Sequence, residues 1–108
     1  MGERMKTVKF AEDFPKLQKD YFSTIRTPPK DLRSGEIVLI KTPTTEFKGI
    51  IIRRWTAPLN DLSSVLLMDD TSMKSREDAI NLLKEFYPNL KEDREVQVIW
   101  LMHDRRGD

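Results

Sequence analysis

The sequence predicts an α+β fold in which a mixed, mostly antiparallel sheet of about five to six strands curls into a small barrel with helices at its ends. Three observations predict it. The chain has 108 residues, the usual size of one domain, so we expect a single domain over residues 1–108, ordered from about 5 to 103. Segments with strand and helix character follow in the order β-α-β-β-β-α-α-β. Short loops between neighbouring strands favour antiparallel pairing.

The N-terminal part predicts a strand followed by a helix. Residues 5–10 have the composition of a short strand. Phe14, Leu17 and Tyr21 then follow at the spacing i, i+3, i+7, which predicts an amphipathic helix of about two turns. Asp13 stands where it can cap this helix.

Three strands are predicted in the middle of the chain. Residues 22–26 are aromatic and β-branched, and a strand there ends before two prolines that have no N–H group to donate to a sheet. Residues 36–41 and 47–55 form near-continuous apolar runs, and the Pro/Thr-rich residues 42–45 predict a hairpin-like loop between them. Gly49 interrupts the later run and indicates a bulge or a close backbone approach.

Two helices and a final strand are predicted after residue 59. Asn60 or Asp61 is expected to cap a short helix that runs through Leu66. Ser75 opens a sequence that resembles a capping box, and a stripe at helical spacing follows it: Ala79, Leu82, Leu83 and Phe86. Residues 95–102 then alternate as a strand.

The charge is unevenly distributed, although the formal net charge is only +1. Residues 1–54 hold 12 Lys/Arg against 7 Asp/Glu, a net +5, whereas residues 55–108 hold 7 against 11, a net −4. A chain of this kind can present a basic face without being basic overall. An uneven scatter of surface charges is the simpler interpretation.

Composition excludes several chemistries. Without cysteine the chain has no disulfide, thiolate metal site or cysteine nucleophile. His103 has no second His or Cys to share a zinc ion, and no glycine-rich phosphate loop is present, so we predict neither metal nor cofactor. The adjacent Asp69 and Asp70 are interpreted as turn and cap residues. No signal peptide or membrane span is readable, so we predict a cytoplasmic protein without membrane partners.

The segment from Lys19 to Arg26 carries the strongest functional pattern. Strand alternation places Thr24 and Arg26 on one side and Ile25 on the other. A hydroxyl beside a guanidinium, with Tyr21 nearby as an aromatic surface, provides groups that hold phosphate and stack on a base. The alternative is structural: Arg26 pairs with a nearby carboxylate and Thr24 simply suits a strand.

The order of these elements and several short motifs resemble the ASCH family, a branch of the PUA-like barrels. The matching residues are Ser23-Thr24-Ile25-Arg26, Gly35-Glu36-Ile37-Val38, Tyr87-Pro88 and Val98-Ile99-Trp100-Leu101. The similarity covers roughly residues 10 to 102 and is greatest to the compact single-domain members. It implies a pseudo-barrel with a cleft beside the Thr24/Arg26 strand and binding of RNA or modified nucleosides.

Some small members of that family remove the acetyl group from N4-acetylcytidine through a Gly-x-Lys-x-x-Thr-x-Arg pattern and a Glu ahead of the long helix. Thr24 and Arg26 match that pattern, but Tyr21 occupies the Lys position and Lys19 the Gly position. No Glu stands at the expected place, where Asp69 or Asp70 substitutes only if the loop shifts. We therefore expect the chain to lack this amidohydrolase activity in its known form.

The resulting prediction is a monomeric, non-catalytic or weakly catalytic module that binds RNA or a nucleotide-like small molecule. The expected contacts are Lys19 and Arg26 to phosphate, Tyr21 or Trp55 as stacking faces, and Lys30, Arg33, Lys48 and Arg53 as a flanking basic surface. Trp55 is also a candidate core residue. Two alternatives stay open. One is a hydrolase or ribonuclease that uses Thr24 with Tyr21 or Lys19 and Asp70. The other is a protein-interaction domain whose cleft is vestigial.

Overall fold

The computed structural model describes residues 5–105 and has α+β architecture. Its five strands are β1 (Thr7–Lys9), β2 (Tyr21–Arg26), β3 (Ile37–Lys41), β4 (Glu46–Pro58) and β5 (Glu95–His103). Its two α-helices are α1 (Ser64–Thr71) and α2 (Arg76–Phe86), and short 3-10 helices span Pro15–Gln18 and Leu59–Asp61. The predicted fold class is confirmed at this level. Within residues 5–105, no helix combines the length and apolar character that crossing a membrane requires.

The strands form one mixed sheet in the order β1-β3-β4-β5-β2. β1 runs parallel to β3, with Val8 opposite Ile40. β3 runs antiparallel to β4, with Leu39 opposite Lys48, and the predicted loop of residues 42–45 connects these two strands. Since β1 and β2 stand at the two ends of the order, the described strands form an open sheet rather than a closed barrel.

The chain divides into two compact units, and β2, β4 and β5 each continue from one into the other. The described residues of the first unit are 5–22, 32–54 and 99–105. The second unit comprises residues 23–31 and 55–98. The prediction of one domain over residues 1–108 stays a prediction.

The first unit has an apolar core rich in aromatic residues. Its buried members are Val8, Phe10, Leu17, Phe22, Leu32, Val38, Ile40, Ile51, Ile99 and Leu101. Phe22 makes edge-to-face contacts with Phe10 and Phe47 at centroid distances of 6.3 Å each. The ring of His103 stacks on Phe47 at 4.3 Å, and its Nε2 lies 2.8 Å from the carbonyl oxygen of Leu17.

The predicted helix over residues 14–21 is wrong. Only a 3-10 turn forms at Pro15–Gln18, because the backbone of Lys19 is already extended and Tyr21 belongs to β2. Tyr21 lies at helical spacing from Phe14 and Leu17, but as an aromatic residue it also favours a strand, and it forms the start of β2. Asp13 does not cap the turn and instead accepts a hydrogen bond from Thr44 Oγ1 at 2.9 Å.

The helix α1 begins later than predicted. Its N-cap is Ser63, whose hydroxyl oxygen accepts a hydrogen bond from the N–H of Leu66 at 3.1 Å. The predicted caps Asn60 and Asp61 lie in the preceding 3-10 helix, and extended backbone at Leu62 separates them from α1.

The prediction for α2 is confirmed in its position and its cap. The hydroxyl oxygen of Ser75 accepts a hydrogen bond from the N–H of Asp78 at 3.1 Å. Ala79 and Leu83 are buried as expected, but Phe86 is 38% exposed and Ile80 is buried in addition. Leu82 is only half-buried, so the stripe was placed correctly at Ala79 and Leu83 and wrongly at its end.

Gly49 lies under a buried side chain, and the predicted bulge is wrong at this position. It pairs with Val38 within a regular antiparallel register. A Cβ atom at this position would lie 2.5 Å from Cδ1 of Ile40, which is fully buried. A larger residue at this position would therefore require the side chain of Ile40 to shift.

Candidate functional site

A hydroxyl and a guanidinium meet on one side of β2. Thr24 and Arg26 are two residues apart in the strand, so their side chains lie on the same side. The Nε–H of Arg26 donates a hydrogen bond to Thr24 Oγ1 at 3.1 Å. Thr24 is 5% exposed and Arg26 is half-buried. The predicted same-side arrangement is confirmed, and the hydrogen bond fixes the plane of the guanidinium.

A buried carboxylate joins the same strand to α1. The hydroxyl of Ser23 donates a hydrogen bond to Oδ1 of Asp70 at 2.6 Å, and both residues are more than nine-tenths buried. A hydroxyl that donates to a carboxylate at this distance forms a short, charge-assisted bond. The neighbouring Asp69 is exposed. The interpretation of Asp70 as a turn or cap residue is therefore wrong, since it lies within α1 and its side chain points inward.

Burial and neighbouring charges act on Arg26 in opposite directions. Burial lowers the pKa of Arg26 from its usual value, because removal from water disfavours the charged form. Coulomb attraction to the Asp70 carboxylate, and to the Tyr87 phenol only where that group is ionised, acts against this effect and raises the pKa of Arg26. Arginine stays protonated at neutral pH even when its pKa is lowered. The cluster of Ser23, Thr24, Arg26 and Asp70, which we call the polar cluster, therefore holds a permanent cation close to a buried carboxylate.

A side-chain amide holds the loop that follows Arg26. Gln97 of β5 accepts a hydrogen bond from the N–H of Lys30 at 3.1 Å and donates one to the carbonyl oxygen of Lys30 at 2.8 Å. Gln97 is 1% exposed, whereas the side chain of Lys30 is exposed. The backbone of Lys30 is thus attached at two points, and its side chain extends into solvent.

The remaining predicted residues lie elsewhere. Those in the first unit are all exposed: Lys19, Tyr21, Arg33, Lys48 and Arg53. Tyr21 is 58% exposed, and alternation along β2 puts it on the opposite side of the strand from Thr24. Trp55 belongs to the second unit and is half-buried. Of the predicted residues, the structure brings Thr24, Arg26 and Asp70 together.

Sequence reasoning missed three residues of this region. Gln97 is a polar residue between apolar residues of β5, and this interruption is a readable signal, whereas Ser23 was noted only as part of a motif. Tyr87 was likewise noted only as part of a motif, and its Coulomb interaction with Arg26 joins residues far apart in the sequence, which no spacing rule covers. For residues 5–105, no group of three or more His, Asp or Glu side chains is arranged to hold a metal ion.

The fold and the polar cluster define a small α+β protein with buried hydroxyl groups, a half-buried guanidinium and a buried carboxylate. No family model matches the sequence, and no solved structure matches it. The chain is 32% identical, over an alignment of 90 residues, to an uncharacterised protein of the archaeon Methanocaldococcus jannaschii. The alignment covers 75% of this chain and 79% of that protein. The chain therefore belongs to the same family as this archaeal protein.

Proposed function

We propose that the chain is an RNA- or nucleotide-binding module of ASCH type, with its ligand held in a cleft beside the strand of Thr24 and Arg26. One observation carries this proposal: the guanidinium of Arg26 is oriented by its hydrogen bond to Thr24. A guanidinium held along one edge presents its Nη groups in a defined plane, and that geometry suits a phosphate or the edge of a base.

Thr24 supplies a second polar group at the same place. Its oxygen accepts the hydrogen bond from Arg26, so its own hydroxyl proton is directed away from that bond. A ligand oxygen close to Arg26 can accept this proton. A cation and a neutral donor on neighbouring atoms form the kind of set that recognises a phosphate or carbonyl oxygen.

Lys30 extends the proposed site along the chain. Its ammonium is exposed and lies in the same unit as the polar cluster. The exposed cations of the first unit contribute attraction to a polyanion at longer range. Direct contacts from Lys19, Arg33, Lys48 and Arg53 stay predictions, as does stacking on Tyr21 or Trp55.

The hydrolase alternative receives less support from the geometry. A nucleophilic hydroxyl donates its proton to a base, but the hydrogen bond of Thr24 is an accepted bond from a cation. Asp70 accepts from Ser23 instead, and Tyr21 lies on the other side of β2 from Thr24. Incubation with N4-acetylcytidine and a panel of oligonucleotides, followed by mass analysis, tests this alternative. We expect no change of mass.

The binding proposal is tested by the fluorescence anisotropy of a labelled single-stranded RNA at about 50 and 200 mM salt. The variants are Arg26→Ala, Arg26→Lys and, as a control of equal charge change, Arg94→Ala. Arg94 is exposed in the second unit, outside the polar cluster. We expect Arg26→Ala to raise Kd by about tenfold or more, the effect of losing charge-assisted hydrogen bonds. The Kd of Arg26→Lys should lie between those of wild type and Arg26→Ala, because lysine keeps the positive charge but lacks the planar set of N–H donors.

The Arg94→Ala control distinguishes binding at the proposed site from attraction to the overall charge of the protein. Arg94→Ala should change Kd by less than about twofold, because a single exposed charge outside the polar cluster is largely screened at 200 mM salt. Equal effects of Arg26→Ala and Arg94→Ala would mean that RNA binding follows overall charge and not this site. Wild type that fails to bind at low salt would contradict the proposal, and free nucleosides would then be titrated. Circular dichroism on each variant separates lost binding from lost folding.

A further inference from the structure

Among the described residues, Gln97 is the most deeply buried polar side chain, and it is not a member of the polar cluster. Its neighbours in β5 are the buried Val96, Val98 and Ile99. An amide among apolar side chains is unfavourable unless both of its ends are hydrogen-bonded. Both ends are bonded here, and both bonds go to the backbone of one residue, Lys30. The amide therefore holds the backbone of Lys30 through one donated and one accepted hydrogen bond, as a paired residue of a neighbouring strand would.

Lys30 lies in the loop that follows the polar cluster in the chain. Lys30 follows Arg26 by four residues, so the loop that Gln97 holds is the one that leaves the polar cluster. Within the part of the chain that the structure describes, the ammonium of Lys30 makes no hydrogen bond or ion pair. An exposed ammonium on a fixed backbone is a cation held near a defined point, and less conformational entropy is lost when it meets an anion.

We propose that Gln97 is a positioning residue for the ligand site and that it holds Lys30 as a second phosphate contact beyond Arg26. This inference rests on the proposed function and adds a role for two residues to it. Arg26 meets one phosphate group of a single-stranded RNA, and Lys30 meets another group on the same strand. Gln97 itself does not touch the RNA and acts only through the backbone of Lys30.

The first test needs no ligand. Hydrogen exchange of the Lys30 amide is measured by nuclear magnetic resonance in wild type, Gln97→Glu and Gln97→Met. The Glu side chain keeps an acceptor for the Lys30 N–H but loses the donor to its carbonyl oxygen, and Met loses both. Exchange should be slowest in wild type, faster in Gln97→Glu and fastest in Gln97→Met. The amide of Ala79, which donates to the carbonyl oxygen of the N-cap residue Ser75 at the start of α2, reports whether the fold is intact.

The second test is a double-variant cycle of RNA binding with Lys30→Ala, Gln97→Met and the combination. Lys30→Ala removes only the exposed side chain and keeps both backbone bonds. We expect each single variant to raise Kd about three- to tenfold, and the combination to be no weaker than the weaker single variant. The salt slope should fall by about 0.7 in every variant, which corresponds to one phosphate contact on a single strand.

The outcomes separate this inference from the proposed function. If wild type binds RNA but the two substitutions add fully, Gln97 has a purely structural role and the inference is wrong. Unchanged exchange of the Lys30 amide in Gln97→Met would also overturn it while leaving RNA binding by Arg26 intact. If wild type binds no RNA, the proposed function fails, and the role of Lys30 fails with it.

Discussion

The two units of this chain bury different kinds of side chain. In the first unit, the buried core is apolar and aromatic, with Phe10 and Phe22 in edge-to-face contact. In the second unit, apolar residues such as Leu59 and Leu67 are fully buried, yet polar groups are buried beside them. Among residues 5–105, the buried polar side chains are Ser23, Thr24, Asp70 and Gln97, and all of them belong to the second unit.

The buried polar side chains of the second unit indicate where a functional site is to be sought. Apolar burial stabilises a fold without orienting a ligand, whereas a buried polar group must be hydrogen-bonded or it destabilises the fold. All the buried side-chain nitrogen and oxygen atoms of the described residues have a hydrogen-bond partner. Such a satisfied network holds its members in fixed orientations. The second unit therefore contains the polar side chains that are held in fixed orientations and can hydrogen-bond to a ligand.

The largest effect on stability is expected in the first unit, from Phe10→Ala. This change removes an aromatic side chain from the core and should destabilise the protein by about 3–5 kcal/mol. Urea unfolding measures the loss. Below the unfolding transition, the Kd for RNA should stay within about twofold of wild type, since Phe10 lies outside the polar cluster. A rise in Kd as large as that of Arg26→Ala would show that the two units do not differ in the way proposed.

Asp70→Asn is expected to separate stability from binding in the second unit. The amide keeps an acceptor for Ser23 but loses the negative charge, so the charge-assisted bond is weakened and stability should fall by about 1–3 kcal/mol. The Kd for RNA should nevertheless fall, because a carboxylate close to Arg26 opposes the binding of an anion. Urea unfolding and RNA anisotropy measure the two quantities.

Asp69→Asn is the matched control, since it makes the same chemical change at the exposed neighbouring residue. We expect it to alter stability by less than about 0.5 kcal/mol. Weaker RNA binding in Asp70→Asn would indicate that the carboxylate orients Arg26 and that this role outweighs its repulsion of the ligand.

The sequence predicted the elements whose signals are local and dense. The helix α2 has a cap and a stripe at helical spacing, and its position agreed with the cap and with the start of the stripe. The N-terminal helix depended on three residues at a suitable spacing, and Tyr21 belonged to the strand instead. The start of α1 was misplaced because several polar residues in a row can serve as a cap, and only the backbone of Leu62 decides between them.

The candidate site was predictable along one strand and not across elements. Alternation was sufficient to place Thr24 beside Arg26. The hydrogen bond between Ser23 and Asp70 joins residues 47 positions apart, and the bonds between Lys30 and Gln97 join residues 67 positions apart. No spacing pattern specifies such pairs, because they depend on how strands and helices pack. A polar residue within an apolar strand is the signal that was present and not used.

Ser63→Ala should have a smaller effect than the changes in either core. Its hydroxyl oxygen accepts from the N–H of Leu66 at the exposed start of α1, and loss of such a cap destabilises by about 1 kcal/mol. Ser23→Ala is the buried counterpart and should destabilise by about 1–3 kcal/mol, because Asp70 then loses a donor away from water. Thermal unfolding of both variants compares them directly. An equal loss in the two would contradict the claim that burial makes the hydrogen bonds of the polar cluster stronger.

The smallest expected effect belongs to a fully exposed carboxylate of the first unit. Hydrogen bonds with Thr42 and then Thr44 lower the pKa of Asp13 below its usual value of 3.8. A lowered folded-state pKa means that Asp13 contributes stability above pH 3.8 and that this contribution is lost as the pH falls through the folded-state value. Titration by nuclear magnetic resonance should therefore show the pKa of Asp13 rising towards 3.8 in Thr44→Val, with no other carboxyl group shifting as far. An unchanged pKa would mean that Thr42 alone holds the carboxylate. The same titration of Arg26→Ala should leave Asp13 unaffected, since Thr42 and Thr44, which hydrogen-bond to Asp13, belong to the first unit.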